Sequence, residues 1–126
     1  MRGSWILPVL LAVGAGCSGY SRPASEASYD SEDARTALIA ALDAWKKGEA
    51  KSLPKRNPPI RFVDDDLLSG LRLSEYEIEE PDQPMKLHQD VSVILEMRDA
   101  RGKRVRREAR YQVGTDPTLS VLRSDR

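Results

Sequence analysis

Few side chains in this 126-residue chain have the types and spacing that catalysis or metal binding requires. Three consecutive carboxylates, Asp64, Asp65 and Asp66, form one acidic run. A calcium loop instead alternates its ligands, has a glycine at its sharp turn and ends on a glutamate, so we interpret this run as a solvated turn or a helix cap. His88, the single histidine, could act as a general base only beside an acidic partner. We interpret it as a surface residue of a loop or a strand start.

Motifs that position a nucleophile or a phosphate do not occur in the sequence. There is no Gly-x-Ser-x-Gly turn, and the eight glycines are scattered rather than gathered in a phosphate-binding loop. The single cysteine, Cys17, cannot form an intramolecular disulfide, and zinc or iron-sulfur sites need several thiolates. We therefore predict a protein that is not an enzyme and has no catalytic residues, metal or cofactor.

The strongest local charge feature is a cluster of six basic side chains within ten residues: Arg101, Lys103, Arg104, Arg106, Arg107 and Arg110. Strand alternation places Arg104, Arg106 and Arg110 on one exposed face, with Glu108 among them. Such a strip could bind anionic lipid, an acidic polymer or an envelope protein. The acidic side chains between Glu75 and Asp82 could instead lie on a neighbouring strand and neutralise it.

Overall charge argues against a nucleic-acid partner. The chain has 20 Lys and Arg against 20 Asp and Glu, a formal charge of zero and a pI of about 6.6. A nucleic-acid-binding domain typically has a basic surface that such a balance does not provide. We predict no nucleic-acid partner.

The N-terminus has the layout of a secretory signal. Arg2 supplies positive charge, residues 5–13 are an apolar stretch, and residues 14–16 are small and directly precede Cys17. A spanning helix needs roughly 20 apolar residues, about twice the length of this stretch. Residues 1–16 are therefore predicted to be a signal peptide rather than a transmembrane anchor.

Small residues that run directly into a lone cysteine, followed by Ser18 and Gly19, resemble the lipobox of bacterial lipoproteins. In that family the cysteine thiol receives a diacylglyceryl group, the signal is cut immediately before it, and the new amino terminus is acylated. The resemblance implies this modification for Cys17. Gly14 stands where the family usually has leucine. The alternative is an ordinary signal peptide cleaved near Gly16 or Gly19.

The same resemblance implies a location in the bacterial envelope. Ser18 is not the aspartate that retains many such lipoproteins in the inner membrane, so the outer membrane, facing the periplasm, is expected where a second membrane exists. Two or three acyl chains anchor a protein stably, whereas one holds it only marginally. Residues 17–30 are small and polar and predict a flexible tether of roughly 20 Å, which would keep the domain close to the bilayer.

Residues 31–126 are predicted to form one small domain that begins with a helix. Ser31 can cap a helix over residues 32–47, and Gly48 can end it. Between these signals an apolar stripe recurs at helical spacing: Ala34, Leu38, Ala41, Leu42 and Trp45. We interpret Trp45 as core packing rather than as a ligand platform.

Beyond residue 60 the apolar pattern alternates, which predicts about five strands. These begin near Ile60, Leu71, Val91, Val105 and Leu119, and the second changes frame near Ser74 and Glu75, which indicates a bulge. A three-residue loop over residues 100–102 brings the apolar faces of the third and fourth strands together, with Met97 opposite Val105 and Glu96 opposite Arg106. Gly102 is expected to adopt a positive φ in that loop.

One helix followed by about five strands predicts an α+β fold in which the helix packs on a curved antiparallel sheet. This element order resembles the cystatin-like and nuclear transport factor two-like fold over roughly residues 31–124. In larger members of that superfamily the sheet encloses a ligand pocket, and some enzymes carry a His and Asp pair there. The sequence thus leaves two functions open, a membrane-anchored binding or assembly module and a small pocket protein, carrier or enzyme. An enclosed pocket lined by His88 or by residues 64–66 would favour the second.

Overall fold

A computed structural model of the chain describes residues 29–125. The predicted signal peptide, Cys17 and most of the predicted tether lie outside the described residues. The helices are α1 (Ser31–Lys47) and the single turn α2 (Asp65–Leu68), with a 3-10 helix at Ala50–Lys55 between them. The strands are β1 (Ile60–Val63), β2 (Arg72–Ile78), β3 (Val91–Arg98), β4 (Arg104–Gly114) and β5 (Leu119–Arg123). None of the helices in this part of the chain is long and apolar enough to cross a membrane.

Helix α1 begins and ends close to the predicted positions. Its N-cap is Asp30 rather than Ser31, because the extended backbone at Asp30 lets the carboxylate accept the Asp33 N–H at 3.0 Å. The Ser31 hydroxyl has another role and accepts the backbone N–H of Met85 at 3.0 Å. At the other end Gly48 has φ of +76° and donates its N–H to the last turn, as predicted for a left-handed cap.

The five strands form one curled sheet in the order β1-β5-β4-β3-β2, and α1 packs on its concave face. The predicted α+β class is confirmed. One pairing differs from the predicted antiparallel sheet, because β1 runs parallel to β5 at the sheet edge. Four elements lie between β1 and β5, and the path of the chain through them sets the direction in which β5 approaches β1. The alternation of apolar residues indicates a strand but not the direction of its partner.

The predicted hairpin register between β3 and β4 is confirmed at every pair. Met97 lies opposite Val105 and Glu96 lies opposite Arg106. The predicted bulge in β2 is also present, as a register shift between Leu73 and Glu75. A one-residue slip would turn every buried side chain of the hairpin outward, so burial of one face fixes the register.

Replacing Gly102 by valine should lower the free energy of unfolding by about 1 to 3 kcal/mol, whereas the same change at Ala100 should cost less. Gly102 has φ of +83°, and a Cβ built there meets no atom within 4 Å, so the cost is backbone strain alone. Urea unfolding of both variants measures the difference. Equal losses would show that the turn does not need a positive φ at residue 102.

The core fills the space between α1 and the concave face of the sheet, which we call the inner face. Its largest fully buried side chains include Leu38 and Leu42 of α1, Leu95 of β3 and Tyr111 of β4. Trp45 is 4% exposed and donates its indole N–H to the Leu71 carbonyl at 2.9 Å. The prediction that Trp45 is a core residue is therefore confirmed.

Candidate functional site

The convex face of the sheet, which we call the outer face, carries the basic strip predicted from the sequence. Arg104, Arg106 and Arg110 are all exposed and alternate with the inner-facing side chains of β4. Across the hairpin they lie opposite Arg98, Glu96 and Ser92, respectively. The three arginines thus share one face, but their neighbours differ from one end of the strip to the other.

Carboxylates lie near the two arginines of this strip that are farthest from the hairpin turn, Arg106 and Arg110. Arg106 lies opposite Glu96, which in turn lies opposite Glu75 on β2. Near Arg110, hydrogen bonds from Gln112 and Ser124, together with the positive charge of Arg110, lower the pKa of Asp90. The acidic side chains of β2 do not adjoin β4 as predicted, because β3 lies between the two strands. The carboxylates near Arg106 and Arg110 are instead Glu96 and Asp90.

Two acidic side chains also lie together on this face, Glu79 just after β2 and Glu108 on β4. A hydrogen bond to Glu108, followed by smaller effects of burial and of neighbouring carboxylates, raises the pKa of Glu79. Carboxylates that lie this close together make the surface locally negative. The outer face is therefore segregated by charge rather than uniformly basic.

The hairpin end of the outer face is different, because three arginines form one row across three strands. Arg72 on β2 lies opposite Arg98 on β3, and Arg98 lies opposite Arg104 on β4. All three are exposed. We call this row the arginine rung. Sequence reasoning found Arg104 but missed its two partners, because strand pairing and not sequence distance brings them together.

A second group of polar and charged residues, which sequence reasoning also missed, lies at the inner face around a buried centre. Asp64 is fully buried, and its Oδ1 accepts the backbone N–H groups of Asp66 and Leu67 at 2.7 and 3.1 Å. Arg123 donates to the same oxygen at 3.1 Å, and the Tyr111 hydroxyl donates to Oδ2. We call Asp64, Asp66, Tyr111, Arg123 and Asp125 the buried ion-pair network.

Arg123 is the centre of this network. Its side chain is 7% exposed, and besides Asp64 it donates to Asp66 at 2.9 Å and to Asp125. Its guanidinium carbon also lies 5.9 Å from the centroid of the Tyr111 ring. Burial opposes the charge of Arg123, but the hydrogen bonds and charges of the three carboxylates outweigh burial and raise its pKa. Arg123 therefore stays protonated, and every buried charge has an opposite partner.

Two other members of the network, Tyr111 and Asp125, are each held in one protonation state. Burial, followed by the charge and the hydrogen bond of Asp64, raises the pKa of the Tyr111 hydroxyl. Burial acts to raise the pKa of Asp125 as well, but hydrogen bonds from Arg123 and from the Arg110 backbone lower it. The tyrosine thus stays neutral and the carboxylate ionised over the ordinary pH range. Neither is poised to exchange a proton with a substrate near neutral pH.

A sequence signal for this network did exist. Arg107 interrupts the apolar face of β4, and Arg123 follows the buried Val121 at strand spacing. The structure accounts for Arg107, whose Nε lies 3.3 Å from Asp66 Oδ2. Of the two interpretations of residues 64–66, the helix cap is confirmed for Asp64, since its carboxylate caps α2.

His88 lies apart from both groups. It is exposed in the loop between β2 and β3 and has a φ of +64°, a left-handed conformation in which histidine is enriched among non-glycine residues. No hydrogen bond to a carboxylate orients its ring within the described part of the chain. The interpretation of His88 as a surface residue is confirmed, and residues 64–66 do not join it.

Five clefts on the described surface are open to solvent and have volumes between about 130 and about 460 Å³. One of about 410 Å³ lies between α1 and the proline-containing loops at residues 58–59 and 117. Another of about 180 Å³ adjoins the arginine rung. Neither His88 nor Asp64 contributes to the walls of these clefts. Between residues 29 and 125 no three His, Cys, Asp or Glu side chains are grouped so that they could hold a metal ion.

Comparison with known proteins adds no functional information to this geometry. No protein-family model matches the chain, and no curated protein or solved structure matches it either. The residues of the arginine rung and of the buried ion-pair network are therefore interpreted from their own chemistry.

Proposed function

We propose that the protein is a bacterial envelope lipoprotein, anchored through lipid on Cys17, whose folded domain acts by binding rather than by catalysis. The anchor follows from the lipobox-like residues 14–19 at the end of a short signal. The folded domain would then face the periplasm from the outer membrane in a bacterium with two membranes. Its partners would be the membrane itself and an envelope protein or anionic polymer, and not a nucleic acid.

The filled space between α1 and the sheet is the single observation that carries the binding proposal. A pocket protein of the nuclear transport factor two-like kind would need a cavity there, but buried side chains of α1, β3, β4 and β5 occupy it, including Leu38, Leu95, Tyr111 and Val121. The buried carboxylate of Asp64 is saturated by four donors. The exposed charged rows of the outer face are accessible to a partner.

The anchor is tested by replacing Cys17 with alanine. We expect the variant to lose incorporation of a fatty-acid analogue and to move from the membrane to the soluble fraction, because two or three acyl chains anchor stably and their loss leaves no comparable hold. Ser18→Ala is the matched control and should remain labelled and membrane-bound. The thermal unfolding of the domain should not change in either variant.

Mass spectrometry of the mature N-terminus is the measurement that could contradict lipidation of Cys17. A mature chain that begins at a residue other than Cys17, and that carries no acyl group, would rule out lipidation and favour ordinary signal cleavage near Gly16 or Gly19.

A further inference from the structure

The arginine rung is an unfavourable arrangement for a sheet, because it places like charges opposite each other. Like charges directly opposite each other on neighbouring strands repel, and here Arg72, Arg98 and Arg104 form two such pairs in succession. Among the described residues no carboxylate lies within ion-pair distance of any of the three. A row of this kind costs stability in the free domain, which is typical of residues retained for binding.

The adjoining hairpin turn increases the positive charge. Arg101 and Lys103 are both exposed there, and the one acidic side chain of the turn is Asp99. The Asp99 carboxylate accepts the backbone N–H groups of Arg101 and Lys103, each at 2.9 Å, so it holds the turn closed. Together with the arginine rung, this end of the molecule therefore has five basic side chains and one carboxylate.

A cleft lies beside the arginine rung, between this turn and the turn that precedes β2. Its volume is about 180 Å³, and it is lined by Gly70, Arg72, Arg98, Asp99, Ala100 and Gly102. Pockets for drug-sized molecules span about 300 to 1,000 Å³, so this cleft suits a small anion or one charged headgroup. Arg98 is held in place at the cleft, because it donates to the Gly102 carbonyl at 2.8 Å. A guanidinium fixed in this way loses less conformational entropy when a ligand binds.

We propose that this cleft, which we call the arginine cleft, binds a phosphate group, carried either by a membrane phospholipid or by a small soluble molecule. Guanidinium groups match the oxygens of phosphate with paired hydrogen bonds, and a bound dianion or monoanion removes the repulsion along the arginine rung. The phospholipid source rests on the proposed function, since a short lipid tether would hold the domain within reach of headgroups. Binding of the phosphate group itself does not depend on the anchor.

The test compares variants of the full chain in a Cys17→Ala background, so that acylation contributes nothing to binding. One variant combines Arg72→Gln, Arg98→Gln and Arg104→Gln. The matched control combines Lys51→Gln, Lys55→Gln and Arg61→Gln, which removes the same charge from exposed positions away from the arginine cleft. Each chain is titrated with inorganic phosphate and with phosphatidylcholine vesicles that contain or lack phosphatidylglycerol.

We expect the parent chain to bind the phosphatidylglycerol vesicles in a salt-dependent manner and the arginine variant to bind them on the order of 100-fold more weakly, since each basic residue near an anionic surface contributes about a five-fold factor. The control should lose little. Binding of inorganic phosphate that depends on the same arginines, without vesicle binding, supports the site with a soluble source. Equal losses in the two variants, or no binding of either probe by the parent chain, would overturn the proposal.

Two further measurements keep the result interpretable. If the triple variant does not fold, Arg72→Gln with Arg104→Gln retains the Arg98 contact to Gly102 and serves in its place. Fatty-acid labelling of Cys17 in the otherwise unchanged chain tests the anchor separately, so a labelled protein without phosphate binding contradicts the arginine cleft alone. An unlabelled protein that binds phosphate contradicts the anchor alone.

Discussion

Replacing Asp64 by alanine should lower the free energy of unfolding by about 3 to 5 kcal/mol, because it leaves a buried guanidinium without one of its partners. Asp64 is fully buried and Arg123 is 7% exposed, so bulk solvent does not reach the site of the lost carboxylate. The same change removes the acceptor of the Tyr111 hydroxyl and the cap of α2. Urea denaturation of the purified chain measures this loss.

Two further variants separate the causes of that loss. Asp65→Ala is the matched control, since Asp65 is exposed in the same turn and should cost only a few tenths of a kcal/mol. Asp64→Asn retains an oxygen that can cap α2 but removes the negative charge, so it should fall between the two. If Asp64→Ala proved no more destabilising than Asp65→Ala, the buried ion-pair network would not contribute to folding.

The second large effect is expected at Leu38. Truncation to alanine should lower the free energy of unfolding by about 2 to 5 kcal/mol, because it removes buried methyl groups and leaves a cavity between α1 and the sheet. Leu38 is 0% exposed, whereas Leu68 in α2 is 73% exposed and serves as the matched control. Leu68→Ala should be nearly neutral in the same thermal and urea experiments.

Similar losses for the two leucine variants would contradict the packing of α1. A large loss at Leu38 that was accompanied by binding of a small apolar molecule would instead show that the core can open into a cavity. The parent chain should bind no such molecule between α1 and the sheet, because its inner face is already filled.

Much of the fold could be predicted from local patterns. The stripe that includes Leu38 and Leu42 has the period of a helix, and Gly48 marks its end. The hairpin register followed from one requirement, that the apolar faces of β3 and β4 lie on the same side of the sheet, which set Met97 against Val105. These features depend on residues that are near each other in the chain, so their signals are present in short segments.

The candidate sites were predicted less completely. Arg104 was identified from a dense basic run, but its relation to Arg72 depends on two successive strand pairings across the sheet. The buried ion-pair network depends on contacts between Asp64 and Arg123, 59 positions apart in the chain. The interruption of the apolar pattern by Arg107 was visible, yet its partner Asp66 was not, because no period connects the α2 turn to β4.

The sequence by itself determined the order of α1 and the five strands, the faces that become buried, and the turn at Gly102, since hydrophobic periodicity and backbone sterics act locally. The 3-10 helix and α2 were not predicted. It also contains the lipobox-like segment before Cys17 that motivates the proposed anchor. Only the tertiary structure decided that β1 pairs with β5 in parallel, that Asp64 neutralises Arg123 and that three arginines align on the outer face. The physical reason is that charges interact through space, so their partners are chosen by strand order and burial rather than by distance along the chain.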